Sequence, residues 1–183
     1  MKEIQGVIKG SNPVKINSDK DIEIKIEIPT KAYFMSGIRD FTLQMIKNMT
    51  DFSENWAYRF QSVVDELCNN AIEHGSDSDS FIKIKFIAVP DKHIKIQVED
   101  FGKKENPITA QEILEKINKT QQTDIKDLGL RGRGLAFIVS KWTDKLEIKD
   151  TQNGGHIVEI TKNLNDQTFK TLERSLEPNQ III

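Results

Sequence analysis

Glu66 and Asn70 stand in Asp65-Glu66-Leu67-Cys68-Asn69-Asn70-Ala71-Ile72-Glu73-His74-Gly75, at positions where packing would favour hydrocarbon. On a helix over 56–74, turning about 100° per residue, Trp56, Phe60, Val63, Leu67 and Ala71 form one apolar arc. Asn70 falls inside that arc and Glu66 on its edge, one turn earlier, so a carboxylate and an amide can converge on one ligand. Burying either without a partner costs roughly 1 to 3 kcal/mol, and keeping the carboxylate charged costs more. Taken alone, the stretch fits two explanations. It is an ordinary core helix whose Glu and Asn bond to a neighbouring strand, or it presents an acid and an amide to something bound.

Two other clusters could do chemistry. Leu128-Gly129-Leu130-Arg131-Gly132-Arg133-Gly134 is the one dense glycine cluster, and it opens directly into the apolar run Leu135-Ala136-Phe137-Ile138-Val139-Ser140-Lys141-Trp142. Glycines before a helix free backbone N–H groups to face an anion, and the helix dipole favours negative charge there. Arg131 and Arg133 can add charge-assisted bonds to phosphate. The same pattern also serves as a plain tight turn. The second cluster, Glu99-Asp100-Phe101-Gly102, follows a strand-like segment and precedes a long polar stretch. A long connection inside a compact domain is commonly functional, often a lid.

The elements that must position these groups are legible in periodicity. Ile22 to Ile28 alternates apolar and charged residues, the pattern of a strand with one wet face. Pro29-Thr30 ends it, and Thr30 is expected to cap a helix carrying Phe34, Ile38, Phe41, Met45 and Met49. The next helix starts near Ser53, and Gly75 is expected to stop it in a left-handed turn. Phe81 to Val89 and His93 to Asp100 read as adjacent antiparallel strands joined by Pro90-Asp91-Lys92. A helix is expected from Thr109 to Lys119, with Thr120 to Asp124 as loop. Lys145 to Ile148 and His156 to Ile160 form a final hairpin turning at Asn153-Gly154. Residues 1–20 hold two short strand-like pieces, a hairpin or a loose arm, and Asp166 to Leu176 suggests a short amphipathic helix.

Composition narrows the function classes. The 183 residues are 37% hydrophobic, enough for one filled core, and a net charge of -2 argues against a general polyanion binder, so nucleic acid is a poor partner. The one cysteine, Cys68, excludes a disulfide framework and a cysteine metal cluster. No long uncharged apolar run or secretion-type start is present, so a soluble cytoplasmic protein without membrane contact is expected. Ser76-Asp77-Ser78-Asp79-Ser80 lacks the glycine and distal glutamate of a calcium loop. There is no Walker A pattern, HExxH, GxSxG or internal repeat.

Order and spacing of the three clusters resemble the N, G1 and G2 boxes of the GHKL ATPase superfamily, most closely its small anti-sigma-factor serine/threonine kinases. The best-matched stretches are Glu66 to Gly75 and Gly132-Arg133-Gly134-Leu135, and the resemblance covers roughly Ile22 to Lys162. It implies an α+β two-layer sandwich of the Bergerat type, a mixed, mostly antiparallel sheet with helices on one face and ATP held between the helical layer and a mobile lid. The implied organisation is an extension over 1–20, an ATP-binding kinase domain over 21–163 and a helix and tail over 164–183. By the same resemblance Asn70 binds Mg²⁺, Glu66 is the general base that takes a proton from a protein serine or threonine hydroxyl or orients a water, and Asp100 accepts a bond from the adenine amino group. Gly102 lets the backbone approach the base, and the phosphates are held around Arg131, Gly132, Arg133, Gly134 and Leu135. The implied protein is an ATP- and Mg²⁺-dependent kinase in a partner-switching circuit. It would phosphorylate a small anti-anti-sigma-type protein, bind a sigma factor or similar regulator, and form a homodimer.

Two positions depart from the pattern. The G1 box, usually Asp-x-Gly-x-Gly, has Lys104 in its second glycine position, where positive φ is costly. The Gly-Thr common near the last strand is Gly155-His156 here, which removes the hydroxyl that supports the aspartate and leaves open what His156 does. These departures support the competing function, a non-catalytic module that keeps the fold and sequesters a partner. Retention of both Glu66 and Asn70 supports the kinase.

Overall fold

The computed structural model describes residues 21–164 apart from 78, 90–91, 104–106 and 123–133. The expectations for residues 1–20, for a helix over Asp166 to Leu176, and for Lys104, Arg131, Gly132 and Arg133 lie outside the described residues.

Alternating side chains build the sheet. Strand β1 (Ile22–Pro29) pairs with β2 (Phe81–Val89), β2 with β3 (His93–Glu99), β3 with β5 (His156–Asn163), and β5 with β4 (Lys145–Asp150). The order is β1-β2-β3-β5-β4. Every named pairing is antiparallel, where a mixed, mostly antiparallel sheet was expected. Among the described residues, parallel pairing is confined to an isolated bridge between Ser76 and Gly102. Ile82, Ile84, Phe86 and Ala88 of β2 and Ile94, Ile96 and Val98 of β3 are buried. The residues between them carry a polar layer, with Lys85 at 3.0 Å from Glu23 and Lys83 at 3.6 Å from Glu99. Exposed pairs of this kind contribute about 0 to 1 kcal/mol each.

Helices cover the buried face. Helix α1 (Met35–Met49) buries Met35, Ile38, Thr42, Met45 and Ile46. Its stripe is rotated from the expected one: Phe41 and Met49 lie at its margin, and Phe34 is exposed. Thr30 does not cap it. A short 3-10 turn, Ala32–Phe34, leads in, and the buried Thr30 hydroxyl instead bonds the Asp77 and Ser80 carbonyls at 3.0 and 3.2 Å. A β-strand end whose backbone already pairs with Ser80 has no freedom left to start a helix.

Helix α2 (Glu54–Asn70) begins as its sequence dictates. The Ser53 hydroxyl accepts the Trp56 N–H, and the acidic Glu54 lies in the first turn, where the dipole favours it. The expected arc of Trp56, Phe60, Val63, Leu67 and Ala71 is buried, and Phe52 closes edge-on over Phe60 at 5.0 Å between rings. The helix continues into a single π-helical turn, Ala71–Gly75.

Helix α3 (Ala110–Gln122) extends beyond the expected Lys119. Thr109 and Glu112 exchange bonds at its start, Glu112 N–H to the Thr109 hydroxyl and Thr109 N–H to the Glu112 carboxylate, which is a capping box. Helix α4 (Gly134–Trp142) is the expected apolar one. Ala110 and Ile117 of α3, Ala136 of α4 and Ile148 of β4 make a small core of their own beside the main one. The closing hairpin turns through Gly154 at φ +82°.

Phe60 is fully enclosed and touches two other rings, so Phe60→Ala is expected to lower unfolding free energy by about 3 to 5 kcal/mol in urea titration. Tyr33→Ala, at a ring 87% exposed, is expected to stay within about 0.5 kcal/mol of the parent.

Candidate functional site

The first half of the site lies where α2 meets the start of α4. One helical turn apart and half-buried, Asn70 donates its Nδ2–H to Glu66 Oε1 at 3.0 Å. An ionised carboxylate only accepts, so this bond fixes which amide atom faces Glu66: the Nδ2 donor, and not Oδ1. Gly134, the first residue of α4, lies so close that a Cβ there would overlap the Glu66 carboxyl group. The carboxylate therefore rests against bare backbone at a helix N-terminus, where the dipole favours negative charge. A cleft of about 270 Å³ opens beside it, lined by Arg39, Gln61, Asp65, Glu66, Gly134 and Phe137, with Arg39 paired to Asp65 at 2.8 Å.

Asp100, just past β3, forms the second half and is only 5% exposed. Its Oδ1 accepts the backbone N–H groups of Gly102 at 3.1 Å and His156 at 3.0 Å. Its Oδ2 lies 3.3 Å from His156 Nδ1. Two glycines make room for the carboxylate and its main chain, and a third lets the chain after it pass the last hairpin. A Cβ on Gly75 would come within 2.5 Å of the Asp100 carboxyl, one on Gly155 would overlap the Asp100 carbonyl, and one on Gly102 would overlap the Gly154 carbonyl. Gly102 sits at φ +79°, a conformation that glycine adopts without penalty. Burial pushes the Asp100 carboxyl above its ordinary range, while the adjacent His156 and the two N–H groups pull it back.

The two halves are joined by one helical run. From Glu66 to Gly75 the chain is α2 followed by the π turn, a span of roughly 13 Å at about 1.5 Å per residue. Single π turns of this kind are frequent at functional sites. Here it delivers Gly75 against Asp100 rather than ending in a left-handed turn, because positive φ among the described residues is confined to Gly102 and Gly154. The Lys103 ammonium holds the turn by bonding the Glu73 carbonyl.

Of the residues singled out in sequence, Glu66, Asn70 and Gly134 come together, as do Asp100 and Gly102. Leu135, half-buried, packs between the main and the smaller core. Gly75 and Gly155 complete the Asp100 end in ways the sequence did not show, and His156, whose role the sequence left open, lies against the carboxylate. A signal for one of them was present: Gly154-Gly155 carries one glycine more than the hairpin turn requires. Cys68 is not part of the site. It is wholly buried, and burial pushes its thiol far above the usual range, so it stays an inert apolar group. Among the described residues no group of three His, Cys, Asp or Glu side chains is placed to hold a metal, and no helix is long and apolar enough to cross a membrane.

Residues 29–162 match the family model of the histidine kinase-like ATPase domain. No curated protein matches the chain. Among solved structures, the fold is similar to a chain in the crystal structure of the SiaB-SiaC complex from Pseudomonas aeruginosa. The TM-score is 0.51 at 12% identity, over 77% of this chain and 89% of that one.

The glycine contacts make a measurable contrast. Gly155→Ala is expected to lower stability by roughly 1 to 3 kcal/mol in urea, because the added methyl displaces the Asp100 backbone. Gly37→Ala, on the exposed side of α1 with open space around it, is expected to raise stability by about 0.5 to 1 kcal/mol.

Proposed function

The chain belongs to the histidine kinase-like ATPase domain family, and from that footing we propose that it is an ATP-dependent protein serine/threonine kinase acting in a partner-switching circuit. The observation that carries this is the Glu66–Asn70 bond beside Gly134 at the start of α4. An acid, an amide and a helix N-terminus in one place suit phosphoryl transfer, which asks for positioning and charge neutralisation more than covalent chemistry.

In this assignment Asp100 accepts the adenine amino group, with Gly102 allowing the base to lie close to backbone. The helical run from Gly75 back to Glu66 then spans the length of an extended nucleoside triphosphate. The start of α4 at Gly134 and Leu135 takes the phosphates, with Arg131, Gly132 and Arg133 assigned to the same end. Asn70 is the residue that would hold a magnesium ion, through its amide oxygen Oδ1, the atom that the bond to Glu66 does not use. When bound, Mg²⁺ supplies neutralisation of phosphate charge. Glu66 takes the proton from the attacking hydroxyl, and the Asn70 N–H holds its carboxylate in one orientation while it does so.

For the acceptor, a small anti-anti-sigma-type protein with a serine or threonine hydroxyl fits a base that faces an open cleft, with a sigma factor or similar regulator as a second partner and a homodimer as the working unit. The similar fold of a chain solved in the SiaB-SiaC complex is compatible with a life spent in protein complexes. A sequestering module without turnover draws support from Asp100, both of whose oxygens already have partners.

Calorimetric titration with Mg-ATP separates the two: binding is expected, and a chain that gives neither heat nor a thermal shift at saturating nucleotide is the sequestering module. Given binding, Glu66→Gln is expected to cut phosphoryl transfer by about 10² to 10⁴-fold with nearly unchanged affinity. Asn70→Ala is expected to remove the Mg²⁺-dependent part of the affinity. Transfer by Glu66→Gln at the parent rate would take Glu66 out of the base role.

A further inference from the structure

His156 is 4% exposed, and both of its ring nitrogens are engaged. Nε2 lies 2.8 Å from the Ile108 carbonyl oxygen, which only accepts, so Nε2 carries a proton. Nδ1 lies 3.3 Å from Asp100 Oδ2. With Nε2 protonated, a neutral ring would present an Nδ1 lone pair to the carboxylate, and two acceptors would face each other in a buried space. A proton must lie between them, held by the pair as a unit.

We propose that His156 is the positioning residue for Asp100: the proton shared between Nδ1 and Oδ2 holds the carboxylate in its base-accepting orientation, and Nε2 fastens that pair to the entrance of α3. This deepens, and rests on, the assignment of Asp100 to the nucleobase. The other charged groups around the pair are accounted for. Asp150 of β4 lies 3.7 Å from Nε2 and accepts the Ala110 N–H at 2.8 Å, so it ties the same end of α3 to the sheet. Lys103 is taken by the Glu73 carbonyl, Glu112 by Thr109, and Glu73 and His74 point to solvent. The raised Asp100 carboxyl, driven by burial, makes sharing easier.

The sign follows. While the proton is present, Asp100 is held by a donor on each oxygen. As pH rises through loss of that proton, Nδ1 repels Oδ2, the carboxylate turns, and nucleobase recognition weakens. A chain with threonine at this position would show no such loss, because a hydroxyl donates at any of these pH values.

The test is ADP binding to the full chain by calorimetry from about pH 6 to about pH 9, the span over which histidine side chains commonly change charge. The parent is compared with His156→Thr and His156→Asn, so that ionisation of the ligand cancels. Parent affinity is expected to fall about tenfold more than that of either variant across the range, as loss of one buried charge-assisted bond implies. His156→Asn, which keeps a permanent donor near the Nδ1 position, is expected to bind at high pH as well as the parent does at low pH. Equal pH slopes in parent and variants overturn the inference while leaving the kinase assignment standing. Nitrogen NMR of the ligand-free parent reads the pair directly and needs no variant to fold. A proton on Nδ1 or on the Asp100 carboxyl, the latter read from its carboxyl carbon shift, is expected at the low end, and its absence from both throughout overturns the inference. Absence of ADP binding at every pH in all three proteins overturns the nucleotide assignment and this inference together.

Discussion

A carboxylate removed from water must be met by donors at close range, and meeting Asp100 determines much of the backbone around it. Two N–H groups arrive from Gly102 and from the first residue of β5, which requires the chain after β3 to fold back and the last hairpin to end at a fixed point. The backbone N–H of Asp100 in turn donates to the His156 carbonyl at 2.9 Å, so β3 and β5 are locked together at this end. The side chain fits only because Gly75 and Gly155 have none. The π turn, the hairpin and the β3–β5 ladder thus meet at one buried charge.

The consequence for the site is rigidity at both of its ends. Glu66 is fixed by Asn70 and by the backbone of Gly134, Asp100 by glycines and His156, and the helix between them sets their separation. Side chains held on regular elements, as Glu66 and Asn70 are on α2, keep their geometry better than side chains on loops, and Asp100, just past β3, gains the same constraint from its hydrogen bonds.

Much of this was legible in sequence where the signal was periodic. Strict alternation located β1, β2 and β3, the apolar arc located the buried face of α2, and Asn153-Gly154 located the last turn. The placement of Glu66 and Asn70 on one face followed from spacing alone. What failed to show were contacts between residues far apart in the chain. Thr30 has the chemistry of a helix cap, and only the arrival of Asp77 and Ser80 gives its hydroxyl another use. Gly75 has the position of a helix stop, and only the approach of Asp100 shows why it lacks a side chain. His156 could not be assigned because its partners, Asp100 and Ile108, come from two separate elements.

The strand order carries a further implication for how the molecule comes together. The β2–β3 and β4–β5 hairpins are local, whereas β1 reaches β2 across the whole of α1 and α2, and β3 reaches β5 across α3 and α4. Closing long stretches of chain costs entropy before it is rewarded, so the two hairpins are expected early and the two long ladders late. Asp100 and His156 sit on opposite sides of the second ladder. In a chain that emerges N-terminus first, the Asp100–His156 end of the site is then among the last features to exist, and an intact Asp100–His156 contact reports that assembly has finished.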